Sequence, residues 1–216
     1  NTTAKVTLQP SEGRPFTVTV PIVNPAELRP GSFDGFVEID NHVAIEAPHF
    51  SRAIGDKLTE WRTLAGFGRT LGGVTTAPLL AAPRTPGGDS PRLEYDVHFF
   101  TAGDAKAEFH VAPSLDFQPE MPLQFAVSFD DEQPQLLKIA TNPNAWEPWG
   151  TAVGEGVRRV VSTHKLATAG RHTLKVWAVT PGVVLERIVI DTGTAKAPGV
   201  RPSYLGPIES PTAAQR

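Results

Sequence analysis

The chain contains no cysteine, which excludes disulfides, thiolate zinc sites and cysteine nucleophiles. A basic surplus is also missing, because the formal net charge is −3. A phosphate backbone or an anionic lipid surface is therefore not an expected partner. No apolar run reaches the roughly 18 residues that a membrane-spanning helix needs. The sequence thus predicts neither a nucleic-acid partner nor a membrane partner.

Proline and glycine are abundant instead, with 21 and 19 copies in 216 residues. They recur along the whole chain, which favours turns between short strands. With 40% hydrophobic and 20% charged residues, a packed core is expected. The chain begins at Asn1 without a charged and then apolar leader, which favours a processed or excised segment of a larger protein.

Apolar and polar residues alternate with a period of two over much of the chain. In one run, Leu93, Tyr95, Val97 and Phe99 share one face. Similar runs lie at 6–8, 16–22, 42–46, 106–111, 123–129, 173–178 and 183–190, with turn signals between most of them. This pattern predicts an all-β fold, an antiparallel β-sandwich.

The composition divides the chain into three parts. Residues 1–32 are predicted to be N-terminal strands that complete the sandwich, or the remnant of a preceding domain. Residues 33–192 form the predicted sandwich, with an irregular surface loop at 81–92. Residues 193–216 are rich in proline and glycine and are predicted to be a C-terminal tail.

No assembled catalytic group is found in the sequence. The motifs of zinc hydrolases, serine hydrolases and phosphate-binding loops are missing. Asp130 and Asp131 are adjacent at a predicted hairpin tip, where aspartate suits turn geometry. Neighbouring side chains at a tip point apart, whereas a glycosidase needs two carboxylates that flank the sugar bond. The chain is therefore not expected to be an enzyme by itself.

Tryptophan is the main candidate for ligand binding, because an indole can stack on the C–H face of a sugar ring. Trp146 and Trp149 lie in a predicted irregular loop, which packs back on the sandwich or contacts a ligand or a partner. Trp61 is a further candidate. Trp177 is predicted on the outer side of a sheet, which it covers or through which it meets another domain.

Glu46 lies on or beside a predicted strand. Together with Glu186 or Asp191 it is a candidate site for a structural calcium ion, which takes six to eight oxygen ligands. The alternative is a carboxylate at a strand end that pairs with an arginine.

Several ordered motifs together resemble the C-terminal region of glycoside hydrolase family 115, the xylan α-1,2-glucuronidases. They include FDGFVEIDNHVAIEAPHF at 33–50, AGFGRTLGGVTTAP at 65–78 and GRHTLKVWAVTPGVVLERIVIDTG at 170–193. The resemblance extends over about residues 33–210.

The resemblance implies a galactose-binding-like jelly roll, similar to carbohydrate-binding modules. It implies that the catalytic carboxylates lie in other domains of a parent enzyme, which is secreted or periplasmic. It also implies the partners: a xylan-type polysaccharide or oligosaccharide, the catalytic domains of the parent, and a second copy in a homodimer. Two departures weaken the calcium and ligand expectations: Pro48 stands where related modules carry a second glutamate, and Gly154-Glu155-Gly156 stands where relatives tend to show an Asp-Asn pair.

The leading hypothesis is a non-catalytic module that binds xylan or glucuronoxylan and requires no cofactor. Aromatic rings would stack on sugars (Trp146, Trp149 and Trp61), and Arg69 or Arg158 would pair with a uronate carboxylate. The alternative is a structural or dimerisation domain that binds no sugar and buries Trp177 and an apolar outer sheet face against a partner.

Overall fold

The computed structural model describes residues 2–22, 28, 33–117, 120–139, 146–193 and 206–212. These residues form fourteen β-strands and one α-helix. The strands are β1 Thr2–Leu8, β2 Phe16–Ile22, β3 Phe36–Val37, β4 His42–Glu46, β5 Arg52–Ile54, β6 Glu60–Ala65, β7 Gly72–Ala77, β8 Arg92–Phe99, β9 Gly103–Val111, β10 Gln124–Phe129, β11 Gln135–Lys138, β12 Arg158–Leu166, β13 Gly170–Ala178 and β14 Leu185–Asp191. Helix α1, Trp146–Glu155, precedes β12 and falls short of the length and apolar character that crossing a bilayer would require.

Twelve of the strands form two six-stranded sheets. The first has the order β11-β10-β13-β8-β3, with β5 also paired to β8. The second has the order β12-β9-β14-β7-β6, with β4 also paired to β14. The pairing is antiparallel apart from a short parallel contact between β3 and β8. Hydrogen-bonded neighbours are often distant in sequence, as in a jelly roll. The predicted all-β antiparallel sandwich is confirmed.

The core lies between the two sheets and follows the predicted alternation. The inward side chains of β8 (Leu93, Tyr95, Val97 and Phe99) are fully buried, and they share one cluster with residues of β9, β10, β13 and β14. The hydroxyl of Tyr95 donates a hydrogen bond to the carbonyl oxygen of Ala47 at 2.8 Å. This bond satisfies a polar group that burial would otherwise leave without a partner.

The first two strands form a sheet of their own. β1 and β2 pair antiparallel in a hairpin, and Val6 lies opposite Val18. Among the described residues, neither strand pairs with a strand of the sandwich. Residues 1–32 thus contain two strands that belong to neither large sheet. Most of the segment that joins them to β3 lies outside the described residues.

Part of the predicted tail lies against the sandwich. The backbone N–H of Ser210 donates to the carbonyl of Ala44 at 2.8 Å, and the hydroxyl of Ser210 accepts from the N–H of Ala44 at 3.0 Å. The N–H of Val37 donates to the carbonyl of Pro211 at 3.1 Å. Residues 206–212 thus cover the open edge of β4. The segments 194–205 and 213–216 lie outside the described residues.

The turn predicted at Asp130 and Asp131 joins β10 to β11. Asp130 has a φ of 46°, a left-handed conformation that aspartate tolerates better than most residues. Its carboxylate accepts a hydrogen bond from the backbone N–H of Thr173 at 2.8 Å and contacts the ring of His172 at 2.7 Å. The side chain of Asp131 is fully exposed. The two carboxylates point apart, so the structural interpretation of this pair fits the geometry.

Candidate functional site

The segment with Trp146 and Trp149 is a helix, so its prediction as an irregular loop was wrong. The ten residues of α1 include two glycines and a proline, all poor helix formers. Pro148 stands in the first turn, where its missing N–H costs little. At the other end Gly156 has a φ of 67°. The N–H groups of Gly156 and Val157 donate to the carbonyls of Val153 and Ala152, which is a Schellman motif.

Trp149 and Arg158 come together where α1 leads into β12. The guanidinium carbon of Arg158 lies 5.9 Å from the centre of the Trp149 ring, within the range of a cation–π contact. The Nη1 of Arg158 donates to the carbonyl of Ile139 at 2.8 Å. The arginine therefore ties the end of β11 to the start of β12 beside a half-buried indole.

An open cleft of about 750 Å³ lies between α1 and the edge strands of the two sheets. Its wall combines basic residues (Lys138, Arg158 and Arg159), one acid (Glu155) and apolar side chains of β11 and β12. Arg159 bonds to Glu155 at 2.5 Å and lies 3.4 Å from Glu108. Because the charge of Glu155 is balanced by Arg159, Lys138 and Arg158 give the cleft a positive charge.

The sheet beside the cleft carries a further ion pair. The imidazole of His110 lies 2.8 Å from the Glu108 carboxylate. This hydrogen bond, with a further contribution from the positive charge of Arg159, holds the pKa of Glu108 below its usual value. Glu108 therefore stays ionised and holds Arg159 in place.

Of the predicted sugar-binding side chains that the structure describes, Arg158 lies in the wall of this cleft, and Trp149 contacts Arg158 without lining the cleft. The remaining candidates lie elsewhere. Trp61 packs against the main core, and its Nε1 donates to the carbonyl of Ile54 at 2.9 Å. All three guanidinium nitrogens of Arg69 are buried, and Arg69 is not part of the cleft wall. Trp146 begins α1, but its side chain lies outside what the structure describes.

Of the three carboxylates predicted for calcium, Glu46 and Glu186 lie near each other, and Asp191 lies apart from them. Glu46 lies opposite Arg187 in the pairing of β4 with β14, and their side chains are 3.3 Å apart. The hydroxyl of Thr70 donates to the other oxygen of Glu46 at 2.5 Å. Asp191 lies at the far end of β14, opposite His42, and accepts a bond from the N–H of Gly193.

Glu186 lies beside Glu46 at an irregularity in the pairing of β14, and it is only 2% exposed. Burial raises the pKa of the Glu186 carboxyl, and the charge of Glu46 adds to the shift. A hydrogen bond from the backbone N–H of Arg69 and the positive charge of Arg69 oppose it.

Two arginines thus stand where a calcium ion would need oxygen ligands. Glu46 is engaged by Arg187 and Thr70, and Glu186 by Arg69. Within the described residues, no group of three or more histidine, aspartate or glutamate side chains has a geometry suited to a metal ion. The donor set does not fit calcium, and Glu46 instead forms the alternative ion pair with an arginine, Arg187.

Trp177 is not an exposed surface residue, in contrast to the expectation of the dimerisation hypothesis. It is 4% exposed and packs with Ala126 and Val179 on the outer side of the first sheet. Its Nε1 donates to the hydroxyl of Ser128 at 3.0 Å, and the guanidinium of Arg92 lies 4.9 Å from its ring centre. The chain itself therefore covers this indole.

One cluster of hydrogen-bonded polar side chains was not predicted from the sequence. The hydroxyl of Ser162 lies 2.7 Å from Nε2 of His164, and Nδ1 of His164 lies 2.7 Å from the Glu132 carboxylate. The order of contacts matches a serine–histidine–acid triad. However, Ser162 is 4% exposed and the histidine side chain is fully buried, so a substrate could not reach the hydroxyl. The period-two pattern of β12 already placed Ser162 and His164 on one face.

The family model of the glycosyl hydrolase family 115 C-terminal domain matches residues 35–209. The chain belongs to this family. The resemblance predicted from the motifs is thereby confirmed, and the match covers both sheets of the sandwich but not the β1–β2 hairpin.

One solved structure shares the fold, and two others align less closely. One is described as a family GH115 4-O-methyl-α-glucuronidase, BtGH115A, with specificity for decorated arabinogalactans; it aligns with a TM-score of 0.55 at 14% identity, over 70% of this chain and 17% of that chain. A CBM35 from Cellvibrio japonicus Abf62 aligns less closely, with a TM-score of 0.47 at 11% identity, over 72% of this chain and 96% of that chain. A Podospora anserina GH26-CBM35 β-(1,4)-mannanase gives 0.46 at 12% identity, over 76% of this chain and 31% of that chain.

The family 115 domain described here therefore spans about a sixth of the length of the solved family 115 enzyme. No curated protein sequence matches the chain.

Proposed function

We propose that this family 115 domain is a non-catalytic carbohydrate-binding accessory module of a xylan α-1,2-glucuronidase, and that it binds glucuronoxylan. The observation that supports this proposal most is the contact of Arg158, a residue of the cleft wall, with Trp149 of α1, where the Arg158 guanidinium lies 5.9 Å from the indole centre. A parent enzyme that acts on a cell-wall polysaccharide would be secreted or periplasmic.

The two side chains suit two features of a uronic acid. The apolar face of a pyranose can stack on an indole, and a guanidinium can form two parallel hydrogen bonds with a carboxylate. The positive character contributed by Lys138 and Arg158 favours an acidic sugar over a neutral one. We therefore expect glucuronic-acid-decorated xylooligosaccharides to bind more tightly than undecorated ones.

The test is isothermal titration calorimetry of the chain with decorated and undecorated xylooligosaccharides of equal length. Arg158→Gln should weaken binding of the decorated sugar by about 10–100-fold, the usual loss for a hydrogen bond to a charged group. Binding of the undecorated sugar should change little. Trp149→Ala should weaken binding of both, because stacking does not depend on the carboxylate.

Lys165→Gln is the matched control, since it removes one positive charge from the far end of the same strand. Thermal unfolding of each variant is measured in parallel, because Arg158 also bonds to Ile139. The proposal fails if neither sugar binds the unmodified chain, or if Arg158→Gln and Lys165→Gln weaken binding of the decorated sugar equally.

The second candidate is a structural domain of the same enzyme without sugar binding of its own. Its original basis, an exposed Trp177, is lost because that indole is buried within the chain. An exposed apolar face of the β1–β2 hairpin favours it instead. The calorimetric test separates the two candidates, because a purely structural domain gives no binding heat with either sugar.

A further inference from the structure

The β1–β2 hairpin carries an apolar face that the sandwich leaves uncovered. Because Val6 pairs with Val18 and Leu8 with Phe16, the apolar residues of both strands lie on one side. This hairpin face consists of Ala4, Val6, Leu8, Phe16, Val18 and Val20. Lys5, Thr7, Thr17 and Thr19 lie on the opposite side.

The hairpin face is open to solvent along its length. Its five large side chains are between 40% and 55% exposed, and none of residues 3–20 is buried. A two-stranded hairpin by itself is at best marginally stable in water and needs a third strand or a packed layer. The exposure, and the lack of a packed layer on this face among the residues that the structure describes, indicate that another surface covers it.

We propose that the hairpin face is an interdomain docking surface, and that it packs against an apolar surface of the polypeptide adjoining the sandwich in a longer family 115 protein. The family match begins at residue 35 and leaves the hairpin out. The chain covers only 17% of the solved family 115 enzyme, so most of such a protein lies outside this domain. An adjoining domain is tethered to the hairpin and meets it at high effective concentration.

A second copy of the chain fits less well. The five large side chains expose roughly 300–450 Å² of apolar surface in total, at the scale of a functional patch on a protein surface. Two such faces packed together would bury roughly 600–900 Å², below the roughly 1,200 Å² of a stable protein–protein interface. An adjoining domain of the same polypeptide needs less area, because the connection has already reduced the cost of association.

The inference uses the proposed place of the chain in a longer protein, but it does not depend on sugar binding. Hydrogen–deuterium exchange, followed by mass spectrometry, compares the 216-residue chain with the full-length protein that carries it. In the chain alone, backbone amides of β1 and β2 should exchange with protection of less than about 10-fold, whereas those of β9 and β14 are protected strongly. In the full-length protein, protection of the hairpin should rise by about 100-fold or more.

A pair of variants of the full-length protein tests the face itself. Val6→Thr with Val18→Thr keeps the shape of both side chains but makes the face polar, and it should lower hairpin protection at least about 10-fold. Thr19→Val, on the opposite side of β2, should leave protection unchanged. Protection of β9 and β14 reports whether the sandwich remains folded in each variant.

Three results would overturn the proposal: strong protection of the hairpin in the chain alone, equal protection of the hairpin in both proteins, or equal effects of the two variants. Analytical ultracentrifugation adds a fourth, since a stable dimer of the chain that the double threonine variant dissolves would assign the hairpin face to a second copy. Loss of sugar binding would leave all of these outcomes unaffected, so the two proposals fail separately.

Discussion

Replacement of Trp177 by phenylalanine tests whether this indole is part of the internal structure. The change keeps an aromatic ring but removes the Nε1–H that donates to Ser128 at 3.0 Å. Ser128 is fully buried, so its hydroxyl loses a partner that water cannot replace. An unsatisfied buried polar group costs about 1–3 kcal/mol. The smaller ring also loses part of its packing and of its contact with Arg92, about 0.5–1 kcal/mol.

Together these terms predict that Trp177→Phe lowers the free energy of unfolding by about 1.5–4 kcal/mol. For a domain of this size each kcal/mol shifts Tm by about 2–4 °C, so Tm should fall by roughly 3–16 °C. Urea unfolding, followed by far-ultraviolet circular dichroism, measures the free energy, and an unchanged m-value checks that the unfolding transition is comparable.

A double-mutant cycle with Ser128→Ala isolates the hydrogen bond. Each single change leaves one buried partner unsatisfied, whereas the double variant removes both, so we expect a coupling energy of about 1–2 kcal/mol. Additive effects, or a Trp177→Phe variant as stable as the unmodified chain, would refute the reasoning. Trp177 would then again be a candidate for contact with another domain or a ligand.

Two further predictions concern α1 and the carboxylate cluster. Gly156→Ala should lower the free energy of unfolding by about 1–2 kcal/mol, because the left-handed conformation of Gly156 strains an L-residue. Gly154 lies inside the helix with open space where a Cβ would be, so Gly154→Ala should raise the free energy of unfolding by about 0.5–1 kcal/mol. Thermal unfolding distinguishes the two variants, and equal effects would contradict the Schellman motif at the end of the helix. Burial raises the pKa of Glu186 above its ordinary value, so the folded chain binds this proton more tightly than the unfolded chain. Stability should therefore fall as pH rises from about 4.5 through the raised pKa, and Glu186→Gln should flatten this dependence in unfolding curves at several pH values; an unchanged pH profile would disprove the assignment.

The strands were predictable because successive side chains of a β-strand point to opposite faces, so every second residue is buried and apolar. Along β8 every second residue enters the core, so the alternation of Leu93, Tyr95, Val97 and Phe99 carries the fold information locally. The turn at Asp130 was predictable for a similar reason, because aspartate tolerates the left-handed backbone that the hairpin requires. Which strands pair could not be derived from the period, since it depends on contacts distant in sequence.

Helix α1 could not be predicted from local propensity. Its proline and two glycines disfavour a helix, but the Schellman bonds at Gly156 and the burial of Ala152 and Val157 stabilise one. Most of the stability of a short helix comes from such tertiary packing.

Burial of polar and aromatic groups on the outer faces was also hidden from the sequence. Trp177 lies on the outward side of β13, where the alternation predicts exposure, but the loop before β8 bonds to the end of β13 beside it. Arg69 looked suited to a uronate, yet its guanidinium is buried near Glu186. In both positions long-range contacts decide the environment, so only coordinates could separate Arg158 from Arg69 as a candidate for ligand binding.

We propose that Arg158 of the cleft wall and the neighbouring Trp149 recognise an acidic sugar. The direct measurement is a nuclear magnetic resonance titration of the ¹⁵N-labelled chain with a glucuronic-acid-decorated xylooligosaccharide. The Nε1–H signal of Trp149 and amides at the start of β12 should shift, while the indole signals of Trp61 and Trp177, bonded to Ile54 and Ser128, should stay in place. Shifts confined to Trp61, to Trp177 or to neither the helix nor β12 would contradict the claim.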